Sequence, residues 1–569
     1  MSEGAFKPSA TRPGLQDFLM VAVFLVVALG FMLIRPEKVF DAGWLNTDNG
    51  MALSTVDQLL AGKTLYKDAF SPYGPLTTYY YCGAAAIFGN SPVTYLLSTA
   101  LVYGAAFWLG IRFIRRHCQR SPAIALGITA LGAFLWRTWG STTHNRLYVP
   151  WEMVILFLVA LLWQPPGQRT KTRLFLTGLL IGLLQWVKFG DAVAAGASWL
   201  TTDVLYLAFC NCRIPADNRP RFNVAFLFSW WPLAAGFALM ETLRAAGLYL
   251  FLPFPVFKDV FFPAFMVEHY KASYDREWTT HTFVDAGVFF NYQLPILVAL
   301  LAGFVGLAKL FAGRLRNTGP DLLPAAVGAA VFLLGFYLYG DLLLFRQKWL
   351  AYEYAWALLL PLGVFLELAG NSLVVLTAVS LAVLMLSVPA KFLPGSKIPT
   401  VKTVFPNGQV LYLEPREKAA WEGLNSSLDS LPHHGQVIVC LQHPHGISAY
   451  GTGLYHFAGR VNSTRHNWYL PKWVRPYEEA DIARQVLSSD GIVFRNFKSP
   501  PRDYASANGW QDFDWSPLAA ASNAKIRESF ELHASVNNDW IVLSPISTNP
   551  GAVSSHEFPN QNNHAQQGH

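Results

Sequence analysis

The sequence predicts a polytopic α-helical membrane protein, with about eleven spanning helices and a small C-terminal α/β domain on the extracytoplasmic face. Three observations predict it: composition, the recurrence of long apolar stretches, and the placement of the basic residues. Of 569 residues, 53% are hydrophobic, 15% aromatic and only 14% charged, where a soluble domain carries about 25% charged residues. Stretches such as Phe18 to Ile34 and Leu373 to Val388 have the length a helix needs to cross hydrocarbon.

Net charge is +7, and its distribution argues topology rather than a nucleic-acid partner. Arg112, Arg115, Arg116 and Arg120 follow one span, and Arg169, Lys171 and Arg173 lie between two others. Arg213, Arg219 and Arg221 form a third group, and Lys309, Arg314 and Arg316 a fourth. With the N-terminus inside, all four groups fall on the cytoplasmic side, where short loops collect Lys and Arg. Lys7 and Arg12 precede the first apolar run, which leads to no small-residue cleavage site, so a retained helix is expected. The spans then fall at roughly 16–35, 93–114, 121–138, 147–164, 173–189, 191–210, 222–241, 289–309, 321–340, 349–367 and 370–390.

This places a first outer loop at about 36–92 within a membrane domain of residues 1–391. Pro75 to Phe88 is too short for a span and reads as a helix in the interface, with Tyr79, Tyr80 and Tyr81 at headgroup level. A second outer loop, about 243–288, carries Lys258, Asp259, Glu268, His269, Arg276 and Glu277. Residues 392–548 form the expected α/β domain, with strands at Gly435 to Leu441 and Gly491 to Arg495 and a helix at Pro476 to Leu487. The Asn-, Gln- and His-rich tail, 549–569, is expected to be disordered. The five scattered cysteines suggest neither a disulfide framework nor a zinc site.

The first outer loop carries Asp48-Asn49-Gly50, then Leu59-Leu60-Ala61-Gly62-Lys63-Thr64-Leu65-Tyr66-Lys67-Asp68, then Tyr73-Gly74-Pro75-Leu76. A carboxylate just past the first span, this Leu-Leu-x-Gly stretch and a turn into an interfacial helix resemble the first outer loop of GT-C superfamily glycosyltransferases. The likeness is to the bacterial branch related to protein O-mannosyltransferases and lipid A aminoarabinose transferases. His456 to Arg460, Asn462 to Arg465 and Gly491 to Phe494 resemble outer-domain elements of the same group, with Ser463 where proline is common. The resemblance implies a sugar donor on a polyprenyl phosphate, a glycan, lipid or protein acceptor, and Asp48 as the base that activates the acceptor. Chemistry agrees: a lipid phosphate leaves as a stable anion, so an inverting displacement needs a base more than an acid. Asp48 is equally the residue type that caps a helix start.

Asp68 reads either as a substrate-binding carboxylate or as the start of a turn. Lys188, Arg346 and Lys348 sit at predicted span ends, where a donor phosphate needs cations, although snorkelling and, for Lys188, pairing with Asp191 compete. Glu268 and His269 are candidates for sugar hydroxyls. Some relatives use a divalent cation, but no ligand cluster in the sequence is spaced to name one. HExxH, P-loop and GxSxG elements are lacking. The competing function is a multi-spanning transporter or lipid flippase. The chain reads as a bacterial inner-membrane protein.

Overall fold

The structure is a computed structural model that describes residues 14–46, 48–71, 73–117, 148–164, 168–188, 190–213, 229–262, 399–440, 453–466, 474–495, 520–537 and 540–546, with isolated positions at 124–125, 127–129, 131–132, 135 and 332. The expected spans 289–309, 321–340, 349–367 and 370–390 and the C-terminal tail lie outside these residues, apart from Phe332.

The membrane part is built from α1 (Leu15–Ile34), α2 (Pro36–Val39), α3 (Gly43–Asn46), α4 (Asp48–Leu60), α5 (Pro75–Phe88), α6 (Pro92–His117), α7 (Tyr148–Leu162), α8 (Lys171–Leu184), α9 (Asp191–Arg213), α10 (Trp231–Phe251) and α11 (Phe254–Phe261). Among the described residues, α1, α6 and α10 are long and apolar enough to cross a membrane. In α1, Phe24, Ala28 and Met32 are buried, while Leu15, Leu19, Val23, Val26 and Leu33 are exposed. A helix that exposes so much Leu and Val is matched to hydrocarbon rather than water. Helices α8 and α10 cross closely because glycines face each other. A Cβ added to Gly178 would lie 2.9 Å from the Phe237 nitrogen, and one on Gly236 2.9 Å from the Leu179 nitrogen.

Side-chain contacts sort the helix ends into two groups. Arg115 pairs with Asp17 at 3.0 Å, tying the C-terminal end of α6 to the start of α1. Arg116 donates to the Leu161 carbonyl at the end of α7, and Arg169 forms a bidentate ion pair with Asp203 of α9. The Asp203 carboxylate also accepts from Trp230 Nε1 at 3.0 Å, and Arg169 lies over the rings of Trp163 and Trp199. Of the basic residues that the charge rule groups on one side, Arg115, Arg116 and Arg169 share one end of the bundle, while Arg219, Arg221, Lys309, Arg314, Arg316 and the Arg213 side chain lie outside the described residues.

Helix α10 corrects the expected span at 222–241: it begins at Trp231, with Pro232 in its first turn, and runs to Phe251. The charges Glu241 and Arg244 mask this continuation in sequence. In the structure they neutralise each other one turn apart, Arg244 Nη2 donating to Glu241 Oε2 at 2.6 Å, with the guanidinium 4.4 Å from the Phe261 ring centroid. The expected loop at 243–288 therefore starts later, and its first residues form α11.

The C-terminal part opens with an antiparallel hairpin, β1 (Val401–Val404) and β2 (Val410–Leu413), which sequence patterning missed. Helix α12 (Pro415–Asp429) follows, closed by a capping box between Glu414 and Glu417. The five-stranded sheet has the order β4-β3-β5-β7-β6: β3 (Val437–Cys440), β4 (Val461–Asn462), β5 (Gly491–Arg495), β6 (Phe530–Val536) and β7 (Trp540–Pro545). Strand β3 pairs in parallel with β4 and β5, whereas β7 runs antiparallel to β5 and β6. Helices α13 (Leu454–Ala458), α14 (Glu479–Leu487) and α15 (Ala520–Ser529) complete it. Helix α14 starts at Glu479 rather than Pro476, because 476–478 form a turn. Cys82 and Cys440 are free thiols, and burial pushes the Cys440 thiol up to about 12.

Candidate active site

The segment between α1 and α6 is clamped between the helical bundle and the C-terminal domain. Tyr412 N donates to the Phe40 carbonyl at 2.7 Å, joining α2 to the β1–β2 hairpin. Trp44, fully buried, donates to the Val39 carbonyl at 2.8 Å and meets Tyr95 of α6 edge-on at 5.5 Å. Helix α4 approaches α13 backbone to backbone: a Cβ on Gly50 would lie 2.7 Å from the Gly453 nitrogen. Further along α4, Asp57 accepts from Asn90 Nδ2 at 2.7 Å and lies 2.7 Å from His456 Nδ1. Asn90 in turn accepts from the Tyr81 hydroxyl at 2.6 Å.

The Tyr73-Gly74-Pro75-Leu76 turn is laced to the end of α8. Gly74 N donates to the Val187 carbonyl at 2.9 Å and Leu76 N to the Trp186 carbonyl at 2.8 Å. Glycine is required at 74 because a Cβ there would lie 2.8 Å from the Val187 nitrogen. Pro75 then opens α5 at a position where its missing N–H costs nothing. This lacing sets Lys188 beside the tyrosines: its ammonium is 4.6 Å from the Tyr148 ring centroid, and Tyr148 lies 4.7 Å from Tyr73.

A cavity of about 50 Å³ opens here, lined by Met51, Ala52 and Thr55 of α4, Ser71, Tyr73, Thr77, Tyr81, Tyr95 and Tyr148. That is room for roughly three or four waters. Asp48 is the first residue of α4, one turn before the cavity-lining Met51 and Ala52; its side chain lies outside the described residues. Lys188 is buried at 5% exposure, so desolvation makes an anion a strongly favoured neighbour. Asp191 heads α9 three positions on and is also buried.

A second, open cleft of about 520 Å³ lies between the end of the first loop, α11 and the C-terminal domain. Asp68, which the sequence leaves between binding and turn roles, caps a turn, Oδ2 accepting from Thr64 N at 3.0 Å, and also lines the cleft. Segment 462–466 forms its opposite wall and docks on the loop. Lys63 Nζ donates to the Asn462 carbonyl at 3.3 Å, Phe70 N to the Arg465 carbonyl at 2.8 Å, and Arg465 Nη1 to the Tyr66 carbonyl at 2.9 Å. Arg465 also pairs with Glu478, which lies 3.4 Å from His466. Burial lowers the pKa of Lys63, opposed in part by Asp68.

The first cavity is lined by residues of the helix that Asp48 heads, and Lys188 packs on the ring of Tyr148 in its wall; neither Asp48 nor Lys188 itself lines it, and Asp68 lines the other cleft. Arg346, Lys348, Glu268 and His269 lie outside the described residues. The sequence did not single out Tyr148 or the Asp57–His456 contact; Tyr148 stood at the start of an apparently uniform span. Asn462, which heads an Asn-Ser-Thr sequon, is buried and donates to the His466 carbonyl at 2.9 Å. Among the described residues, no group of three or more His, Cys, Asp or Glu side chains is arranged to hold a metal ion.

No family model and no curated protein matches the chain. Among solved structures it is similar to ArnT from Cupriavidus metallidurans bound to undecaprenyl phosphate, at 13% identity and a TM-score of 0.35 over 93% of this chain and 98% of that one. The apo state of that protein matches at 11% identity and a TM-score of 0.35, with the same coverage. The Archaeoglobus fulgidus oligosaccharyltransferase in complex with Zn and sulfate matches at 13% identity and a TM-score of 0.40, over 90% of this chain and 71% of that one. At such identities and scores, neither a ligand nor a residue role carries over from these proteins to this chain.

Proposed function

We propose that this chain is a membrane glycosyltransferase that moves a sugar from a polyprenyl phosphate to an acceptor at the outer face, with inversion and with Asp48 as the base. One observation supports the reading: the helix headed by Asp48 and the turn at Tyr73 line one cavity, and the buried Lys188 packs 4.6 Å from the ring centroid of Tyr148 in its wall. In this reading Lys188 supplies charge to the donor phosphate, which departs as a stable anion without protonation. Asp48 takes the acceptor proton as the new glycosidic bond forms. The tyrosine walls give apolar faces and hydroxyls that orient the sugar and exclude water. Arg346 and Lys348 are further candidates for the phosphate, and Glu268 and His269 for the sugar.

The test is transfer of radiolabelled sugar from a polyprenyl phosphate by purified full-length protein in detergent. Asp48→Asn should lower turnover by about 10² to 10⁴ with donor binding retained, and Asp48→Glu should recover little, because about 1 Å of displacement can cost on the order of 10²-fold. Lys188→Ala should weaken donor binding. Wild-type turnover by Asp48→Asn would remove Asp48 from the chemistry.

A further inference from the structure

The 520 Å³ cleft is not explained by donor chemistry, since it is open, polar and separate from the cavity beside Lys188. Its volume falls in the range of about 300 to 1,000 Å³ typical of small-molecule sites. Its walls carry hydrogen-bonding groups of both kinds, Lys63, Lys67, Asp68, Asp481 and Gln485, over an apolar floor that includes Val256. Arg465 and Glu478, which also line it, form an ion pair with each other, so the other charged lining residues are Lys63, Lys67, Asp68 and Asp481, the last also paired with Arg484 at 3.1 Å. A wall with no net charge does not gather polyanions; it suits a neutral ligand rich in hydroxyls.

Tyr477 adds the second element. The residue is 45% exposed and lines the cleft, with Asp259 of α11 beside it across a small neighbouring pocket. Arg475 Nε holds the Asp259 carboxylate at 3.2 Å. A half-exposed aromatic ring has few rotatable bonds and keeps a face available at little entropic cost, and an apolar face beside paired donors and acceptors matches the C–H face and hydroxyl rim of a pyranose. Asp481 and Gln485 stand one turn apart on α14, with Gln485 Nε2 donating to Asp481 Oδ2 at 3.1 Å.

We propose that this cleft is a carbohydrate-binding site for the acceptor, which is therefore a neutral glycan, with Tyr477 as stacking platform and Asp481, Gln485, Lys63 and Lys67 reading its hydroxyls. As an acceptor site it rests on the glycosyl-transfer reading; as a sugar site it stands without it. The test is saturation-transfer NMR and calorimetry on the full-length protein in detergent, with chitobiose, mannobiose and lactose as probes and glucose 6-phosphate and inorganic phosphate as competitors. At least one neutral disaccharide should bind. Tyr477→Ala should weaken it about tenfold, while Tyr477→Phe should retain most of the affinity. In the labelled-donor assay, Tyr477→Ala should raise the KM for a glycan acceptor and leave donor hydrolysis by water unchanged. Lack of binding by every neutral probe, binding indifferent to Tyr477→Ala, or displacement by inorganic phosphate would each overturn the sugar site. Tyr477-dependent binding in a protein that uses no polyprenyl-phosphate donor would leave the sugar site standing and remove the transferase reading instead.

Discussion

Burial alone would raise the pKa of the Glu478 carboxyl, but His466, Arg465 and the Arg475 backbone N–H outweigh it and hold the carboxyl below its ordinary value of 4.5. His466 is fully buried, and desolvation lowers its pKa below 6.5 although Glu478 opposes the shift. A carboxyl whose folded pKa is depressed contributes stability above its unfolded pKa and loses it as pH falls through the folded value. An imidazole depressed in the folded state works in the same direction, because the unfolded chain takes a proton first. The C-terminal domain should therefore lose stability below about pH 6.5 and more steeply below about 4.5, as read by hydrogen exchange in β3 and β5 of the full-length protein. Glu478→Gln should cost about 1.5 to 3 kcal/mol at neutral pH and flatten the loss below pH 4.5; an unchanged acid limb would assign that loss to other groups. Little of this was legible in sequence. Arg465 stands in a segment whose resemblance was noted, but its ion-pair partner Glu478 lies beyond 467–473 and no periodicity links the two.

Local chemistry marks the element starts: Pro75 begins α5, the Thr170 side chain accepts from Arg173 N at the start of α8, and Pro232 lies in the first turn of α10, a start signal that the apolar run from 222 overrode in sequence. Strand β5 was also readable, since Gly491 to Arg495 is a short apolar run between turns. Element length was legible only where charge did not interrupt: the expected span stops at 241 because Glu241 and Arg244 read as polar interruptions, although they stand one turn apart and pair within the same helix. The close approach of α4 to α13 was equally hidden, since Gly50 and Gly453 are far apart in the chain. Gly50→Ala forces a methyl group against the backbone of Trp44 and Gly453, so overpacking should cost about 1 to 3 kcal/mol and raise hydrogen exchange along α4. Gly83→Ala in α5 is the control: a Cβ there meets nothing within 4 Å, and replacing a mid-helix glycine should stabilise by up to about 1 kcal/mol. Equal effects of the two substitutions would mean that the α4–α13 contact does not depend on close backbone approach.

At the scale of the whole molecule, the contacts fix which ends of the chain share a side, and parity does the rest. The end of α1 leads directly into α2 and the hairpin bond between Phe40 and Tyr412, so the C-terminal domain and first loop lie at the same end of the bundle. Helix α11 is at that end too, since Asp259 meets Arg475 at 3.2 Å. Four spans are expected between 262 and 399, and an even number returns the chain to that same end. The opposite end gathers Arg115, Arg116 and Arg169, and an excess of short-loop Lys and Arg marks the cytoplasmic side. We therefore expect both cavities and the C-terminal domain to face out. A periplasmic reporter fused after Lys391 should be active and a cytoplasmic one inactive, with the opposite pair of outcomes for fusions after Arg213. Cysteines introduced at Lys67 and Lys402, both exposed, should react in intact cells with a membrane-impermeant maleimide, whereas one at Arg116 should react only after permeabilisation. Labelling at Arg116 but not at Lys67 would invert the molecule and leave no outer face on which a polyprenyl-phosphate donor and an extracytoplasmic acceptor could meet at Asp48.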